Sequence, residues 1–476
     1  MAKLAAASRQ DFISQLPDEI LCLIISLLAI DEIVRTSILS KRWKGLWRFI
    51  STHLEFDGRL MIMPLAQRQN PEEAFTPYSQ LSTLLTEGVV GYGKAISSML
   101  FRHSSDLLSC RFIHFPYSVI SEEVGTWLKI MRLRNVKHLS LECEFYDIGT
   151  TESFLHNSED DGEKISKPNF PTGIFSGLCS LELIYYTLRS SKPFEGCQNL
   201  KTLFLKNLNI DDETIGGIFK NCVGLENVCL LECFGFTKIE IHNPNLKILQ
   251  LYALILDKLV LFTEKLEVLL LDTVTTPMSM QIYSLSLSIL HCYNHSTFGS
   301  MLALTEEKTV LKAFHLLGYF RYFWDSRSNV LQTLTRLSID LDLNDAIECI
   351  LFASFLRLCT CLQTLEITLP AVQNDDLVNR YNYWNFRAAC NFVKNQLKFV
   401  YLRGYKDNNQ EFEFLKHIIT KGKKLETVAI ICSQQIDKQR LTALTRASPN
   451  LLLKLNFKIH SVMEEISELQ DRYLYE

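Results

Sequence analysis

Side chains able to do chemistry are thinly spread through this sequence of 476 residues. The stretch GVVGYGK at 88–94 has the glycine content of a phosphate-binding loop, yet it spells neither GxxxxGK[ST] nor GxGxxG. No HExxH metal-binding helix and no GxSxG nucleophile elbow occurs. His291 and His315 stand among alternating apolar residues, where a histidine is more often a surface or satisfied core residue than a general base. The 14 cysteines, Cys22, Cys110, Cys143, Cys179, Cys222, Cys229 and Cys390 among them, form no CxxC pair. That argues against a zinc site or redox dithiol and for reduced, buried thiols. No catalytic residue, metal site or cofactor is expected.

The bulk numbers exclude further classes. Lys and Arg total 49 against 53 Asp and Glu, so no field of one sign draws the chain to nucleic acid or an anionic membrane. The longest apolar run, LCLIISLLAI, reaches about half a bilayer span. The opening MAKLAAASRQDF lacks the apolar core of a secretory signal, so the triplet Asn294-His295-Ser296 is read as an accidental glycosylation match. A cytoplasmic or nuclear location is expected.

The elements that must position any site announce themselves by repetition. From 136 onward the phrase LxxLxL recurs thirteen times, as in LCSLEL at 178, LKTLFL at 200, LKILQL at 246, LKAFHL at 311, LTRLSI at 334 and LLKLNF at 452. Between 178 and 334 successive starts lie 22, 25, 21, 20, 21, 24 and 23 residues apart, inside the leucine-rich-repeat range of roughly 20 to 29. In xLxL alternate residues of a strand point to one side, and the earlier Leu turns the chain into it. One strand per unit, stacked in parallel, predicts an α/β solenoid with strands on a concave face and helices or loops on the convex face. The later intervals of 28, 35, 28 and 27 residues predict longer return segments, such as a helix carrying Phe412, Phe414, Leu415, Ile418 and Ile419 before Gly422. The acidic, Ser/Thr-rich segment 147–172 reads as an exposed loop.

The segment LPDEILCLIISLLAIDEIVRTSILSKRWKGLW at 16–47 poses a different problem. Pro17 suits a helix start, with Asp18 and Glu19 complementing the dipole in a helix running to about Leu28. Asp31 can cap a second short helix with Ile33 and Val34, and Ser40 a third with Trp43, Leu46 and Trp47. Three short helices cannot hide so many apolar side chains among themselves, so part of that surface is for a partner.

These residues carry a family resemblance. LPDEILCLIISLL followed by VRTSILSKRWKGLW resembles the F-box of plant proteins, and LKFVYLRGYKDNNQEFEFLKHIITKGKKLETVAII at 397–431 resembles the C-terminal FBD region of the same group. With the repeats between them, the chain is similar to plant F-box/leucine-rich-repeat proteins of FBD type. The resemblance implies a three-helix F-box at 11–50, a linker and helical lead-in at 51–130, and repeats at 131–395. FBD-like units at 396–460 and a terminal helix or tail at 461–476 follow. It further implies a noncatalytic subunit of a ubiquitin ligase, docking on a Skp-type adaptor and through it on cullin and RING subunits, with the repeats holding an unidentified protein substrate. The alternative is a non-degradative scaffold with an F-box-like head. Carried over position by position, Leu16, Pro17, Ile20, Leu21, Val34, Ser37, Leu39 and Trp43 match the adaptor contact. Trp47 matches the last aromatic of the motif, while Ile24, Leu27 and Leu28 are expected in the head's own core.

Substrate contacts are expected on the concave strand face, from the residues flanking and between the last two leucines. These include Phe204, Tyr252, His291, Tyr293, His315, Arg336, Tyr401 and Arg403, with Lys206, Gln250, Asp340 and Glu366 beside them. An inositol-phosphate pocket of the kind some plant relatives use needs clustered cations. Lys206, Arg336 and Arg403 read as too widely separated for that.

Overall fold

The computed structural model describes residues 13–28, 32–33, 36, 38–49, 52–58, 83–104, 106–114, 118–143, 170, 177–275, 279–293, 330–356, 359–370, 390–434, 436 and 438–455. They fall in two compact units, 1–187 and 188–476. The segments 147–169 and 461–476, with Val34, Ser37 and His315, lie outside the described residues.

The first unit opens with the helical head: α1 (Asp18–Ser26) and α2 (Trp43–Leu46). Four parallel strands follow, β1 (Thr52–Asp57), β2 (Leu107–His114), β3 (His138–Cys143) and β4 (Ser180–Ile184), paired in chain order. Two longer helices, α3 (Thr83–Arg102) and α4 (Ser118–Leu133), connect the first three. Phe56 of β1 stacks on Phe112 of β2, which stacks on Trp127 of α4 at 4.8 Å. Tyr92 of α3 meets Trp127 edge-on, its hydroxyl within hydrogen-bond distance of the carbonyls of Phe56 and Ile113. The stretch 88–94 thus lies inside α3, where Gly93 lets the Glu123 side chain approach to a distance a Cβ would crowd. It forms no phosphate loop.

Strands β1 and β2 extend the strand series ahead of the first LxxLxL phrase. LLSCRFIH in β2 is that phrase with Cys110 and Phe112 standing for the later leucines, both buried.

In the second unit ten parallel strands form one sheet: β5 (Thr202–Lys206), β6 (Asn227–Leu231), β8 (Ile248–Ile255), β10 (Val268–Thr275), β12 (Ile289–Tyr293), β13 (Arg336–Asp340), β14 (Thr364–Thr368), β15 (Phe399–Tyr405), β16 (Thr427–Cys432) and β17 (Leu452–Leu455). The leading leucine of nine phrases is wholly buried: Leu200, Leu225, Leu246, Leu266, Leu287, Leu334, Leu362, Leu397 and Leu425 are all 0% exposed. Burying one such side chain contributes about 1.5 to 3 kcal/mol, repeated at every unit.

Strand β12 pairs directly with β13, Leu290 beside Leu337, and the phrase at 311 lies outside the described residues. Register corrects one reading of the phrase. Val428 pairs with Leu453 and Ile430 with Leu455, which starts the last unit two residues before Leu452. The run Leu451-Leu452-Leu453 offers several leucines to a pattern, and only pairing selects among them.

Unit length decides the return path. The units starting at 225, 246 and 266 are 20 or 21 residues long and return through β7 (Lys238–Ile241), β9 (Lys258–Phe262) and β11 (Ser279–Tyr283), a second parallel sheet. A strand covers about 3.3 Å per residue against 1.5 Å for a helix, so a short return reaches the next unit only when extended. Longer units carry helices, α5 (Asp212–Asn221), α6 (Ala346–Leu356) and α7 (Asn409–Lys421). Their caps agree: Asp211 accepts from Thr214 N, Asp345 from Glu348 N and Asn408 from Glu411 N.

A backbone signature also recurs. Asn207, Glu232, Ala253 and Thr273 have φ of 54°, 53°, 50° and 54°, at the same place in each phrase counted from its leading leucine, and Gly404 at that place has φ 80°. Tyr185, in the first unit, does the same at φ 66°. Left-handed backbone costs a non-glycine residue about 1 kcal/mol or more, so the turn is imposed by the stack around it.

Candidate functional site

Two surfaces qualify, one in each unit. In the head, Leu21 and Ile25 lie one turn apart on α1 and join Ile33, Trp43 and Leu46 in a closed cluster, with Leu16, Cys22, Leu28 and Trp47 packed at its edge. Trp43 N donates to the Ser40 hydroxyl at 3.4 Å, while Arg42 rather than Ser40 occupies the N-cap position of α2. The other side of α1 is not covered. Ile20, Leu23, Ile24 and Leu27 are 43%, 60%, 39% and 81% exposed, at i, i+3, i+4 and i+7. Ile38 and Leu39, just before α2, are 85% and 64% exposed.

The expected adaptor contacts therefore divide. Pro17, Ile20 and Leu39 are at the surface and Leu16 is half-buried, whereas Leu21 and Trp43 sit inside the head's core with no face to offer. Ile24 and Leu27, expected in that core, are exposed instead. With about 100° between successive helical residues, an all-apolar helix must choose one face, and the Trp43 cluster takes Leu21 and Ile25.

On the second unit's sheet, strand register sets Phe204, Gln250, Leu270, His291, Ser338, Glu366 and Tyr401 in one row. Its middle is covered: Gln250, Leu270, His291, Ser338 and Glu366 are all buried, and only Phe204 and Tyr401 at the ends are half-exposed. Tyr252 and Ile289 pack on Ile248, Val268 and Leu270 as an apolar patch on this face. Tyr293 ends β12 with its backbone beside Asp272.

The polar part of the face gathers around one ion pair. Arg403 Nε donates to Glu366 Oε1 at 2.8 Å. Burial, and then the charge of Arg403, push the His291 imidazole down to about 4. Burial raises the Tyr401 hydroxyl, with Arg336 opposing and Glu366 adding to the shift. Arg403 thus acts on Glu366 and Arg336 on Tyr401, while the register keeps the two arginines apart, Arg336 in the row of Thr364 and Phe399 and Arg403 in the row of Thr368. Arg403 is neutralised by Glu366, and Asp340 stands in the same row as Thr368 and Arg403, so the two arginines are matched by two carboxylates.

Three of the thiols are poor nucleophiles. Burial pushes Cys222 and Cys292 up to about 12 and Cys197 up to about 11, which keeps them protonated. Among the described residues no group of three His, Cys, Asp or Glu side chains could hold a metal ion, and no helix is long and apolar enough to cross a membrane.

Comparison with known proteins finds matches in both units. Residues 13–53 match the model of the F-box domain, and residues 124–367 match that of the leucine-rich repeats of the FBD-associated F-box protein At5g56370. Relatives in Arabidopsis thaliana include F-box protein At1g80960, 32% identical over 251 residues that make up 51% of this chain and 45% of the relative. Putative F-box protein At1g67390 is 28% identical over 51% of this chain and 45% of its own. F-box/FBD/LRR-repeat protein At5g56420 is 28% identical over 52% and 50%. The chain spans about half the length of these curated relatives.

Proposed function

We propose that this chain, which belongs to the FBD-associated F-box proteins with leucine-rich repeats, is the substrate-recognition subunit of a Skp-cullin-F-box ubiquitin ligase. An F-box joined to such repeats makes a protein-interaction adaptor. The finer reading rests on one observation, the exposed stripe of Ile20, Leu23, Ile24 and Leu27. Its spacing is that of an amphipathic helix laid in an apolar groove, and water-exposed aliphatic patches of this kind mark docking sites. The Skp-type adaptor supplies the groove and carries the chain to cullin and RING subunits. Ubiquitin chemistry then belongs to those partners, consistent with thiols held protonated by burial.

The repeat sheet of the second unit holds the protein to be modified. Phe204, Tyr252, Arg336, Tyr401 and Arg403, all half-buried, are the side chains we assign to that contact, with His291 buried within reach of the Arg403 charge. The full-length protein, immunoprecipitated from plant cells, is expected to bring down cullin and to support ubiquitin chains on a co-purifying protein. Capture of the adaptor without chain formation would favour a non-degradative scaffold. Absence of adaptor and cullin would remove the ligase reading.

A further inference from the structure

We infer that Arg42 is a positioning residue that holds the two segments of the head's exposed apolar face in register, an inference that rests on the adaptor-docking reading above. The stripe on α1 and the pair Ile38–Leu39 are well separated in sequence, yet a single groove must meet both. Beneath them, Leu21 and Ile25 pack on Trp43 and Leu46. Aliphatic packing is non-directional and leaves some freedom for one helix to slide on another. A directional tie is needed on top of it.

Arg42 supplies that tie. It stands three residues after Leu39 and directly before α2, and its guanidinium reaches back to the start of α1. Nε donates to Asp18 Oδ1 at 2.7 Å, and Nη2 lies 2.6 Å from the same oxygen. Nη2 also donates to the Leu16 carbonyl at 2.5 Å. These bonds bracket Pro17 on both sides. The Leu16 carbonyl needs such a donor: the first backbone bond into α1 runs from Leu21 N to Pro17 O, one residue later.

The chemistry favours arginine over lysine at this position. A planar fork with fixed N–H directions can serve a carboxylate and a carbonyl together, whereas an ammonium is a point charge on a flexible stem. Because Asp18 and Arg42 are both well exposed, the tie adds little to stability. Its effect is on the geometry of the docking face.

The test titrates the intact chain with purified Skp-type adaptor, comparing wild type with Arg42→Ala, Arg42→Lys, Asp18→Asn and the double variant Asp18→Asn with Arg42→Ala. Arg42→Ala is expected to weaken binding by about fivefold with an unchanged melting temperature, since the pair it breaks is exposed. Asp18→Asn weakens it in the same direction, Arg42→Lys recovers only part, and the double variant binds no worse than Arg42→Ala alone. Losses that multiply in the double variant, or a silent Arg42→Ala, overturn the inference while leaving docking intact. A wild-type chain that binds no adaptor overturns both.

Discussion

In α1 three of five Ile and Leu side chains face water, whereas in the second unit the leading leucine of nine phrases is completely covered. The two regions use the same residue types at similar density, so composition does not separate them. The difference lies in what surrounds each element. A repeat strand has a neighbour on either side and a return segment behind, and so finds cover for every inward leucine. A helix of nine residues in a small head has one inner face, already filled by Trp43 and Leu46. Surplus apolar surface in the head is therefore available for binding, and in the repeats it is spent on cohesion.

Substitutions should separate these two uses. Leu16→Ala with Pro17→Ala, at the opening of α1, is expected to abolish adaptor binding, since truncating docking anchors costs about 2 kcal/mol or more each. The repeat sheet should stay folded, which a pull-down and a circular-dichroism melt check together. Truncation inside the repeats has the converse outcome: Leu251→Ala, at a fully buried site in β8, is expected to cost about 3 kcal/mol of stability in denaturant melts. Leu27→Ala in the head should cost under about 0.5 kcal/mol in the same assay.

Polar burial sharpens the comparison, since the second unit buries side chains such as His291, Glu366 and Glu411 while the head buries none among its described residues. Glu348 is pushed up to about 7 by burial, with Asp345, Asp342 and Asp340 adding to the shift, while its Oε2 accepts from Asp342 N. A carboxyl raised in the folded state contributes stability that is complete below the unfolded value and lost as pH rises through about 7. Glu348→Gln keeps the acceptor without the charge. It is expected to match wild type near pH 4.5 and to exceed it by about 2 kcal/mol at pH 8. His291 works in the opposite sense, losing stability as pH falls from its ordinary range toward 4. The smallest effect concerns the recurring turn. Ala253→Gly, at φ 50°, relieves left-handed strain and should raise stability by about 1 kcal/mol.

Much of this arrangement was legible in the sequence, for identifiable reasons. LxxLxL fixed most strands because its leucines are the residues the stack must bury, and the interval lengths foretold the helical return of α7. The strands β1 and β2 escaped notice because Phe and Cys do the work of Leu there. The pattern sets the last unit two residues late, since Leu451, Leu452 and Leu453 all suit it and a local pattern carries no information about its neighbour. Left-handed turns at Tyr185, Glu232, Ala253 and Thr273 gave no signal, as only Asn207 and Gly404 have the residue types such turns favour. On the head, sequence showed that apolar surface was in excess but not which face of α1 would turn inward. That choice depended on Trp43, a contact distant in sequence. At the repeat surface alternation placed His291 and Glu366 on the correct face but could not foresee their burial.

The central claim, that the head keeps an aliphatic stripe uncovered for a Skp-type adaptor, is tested most directly by calorimetric titration of adaptor into Ile20→Asp with Leu27→Asp. The account predicts a loss of affinity beyond about a hundredfold, with the melting temperature unchanged because neither side chain is in the core. Undiminished binding by a folded variant would contradict it.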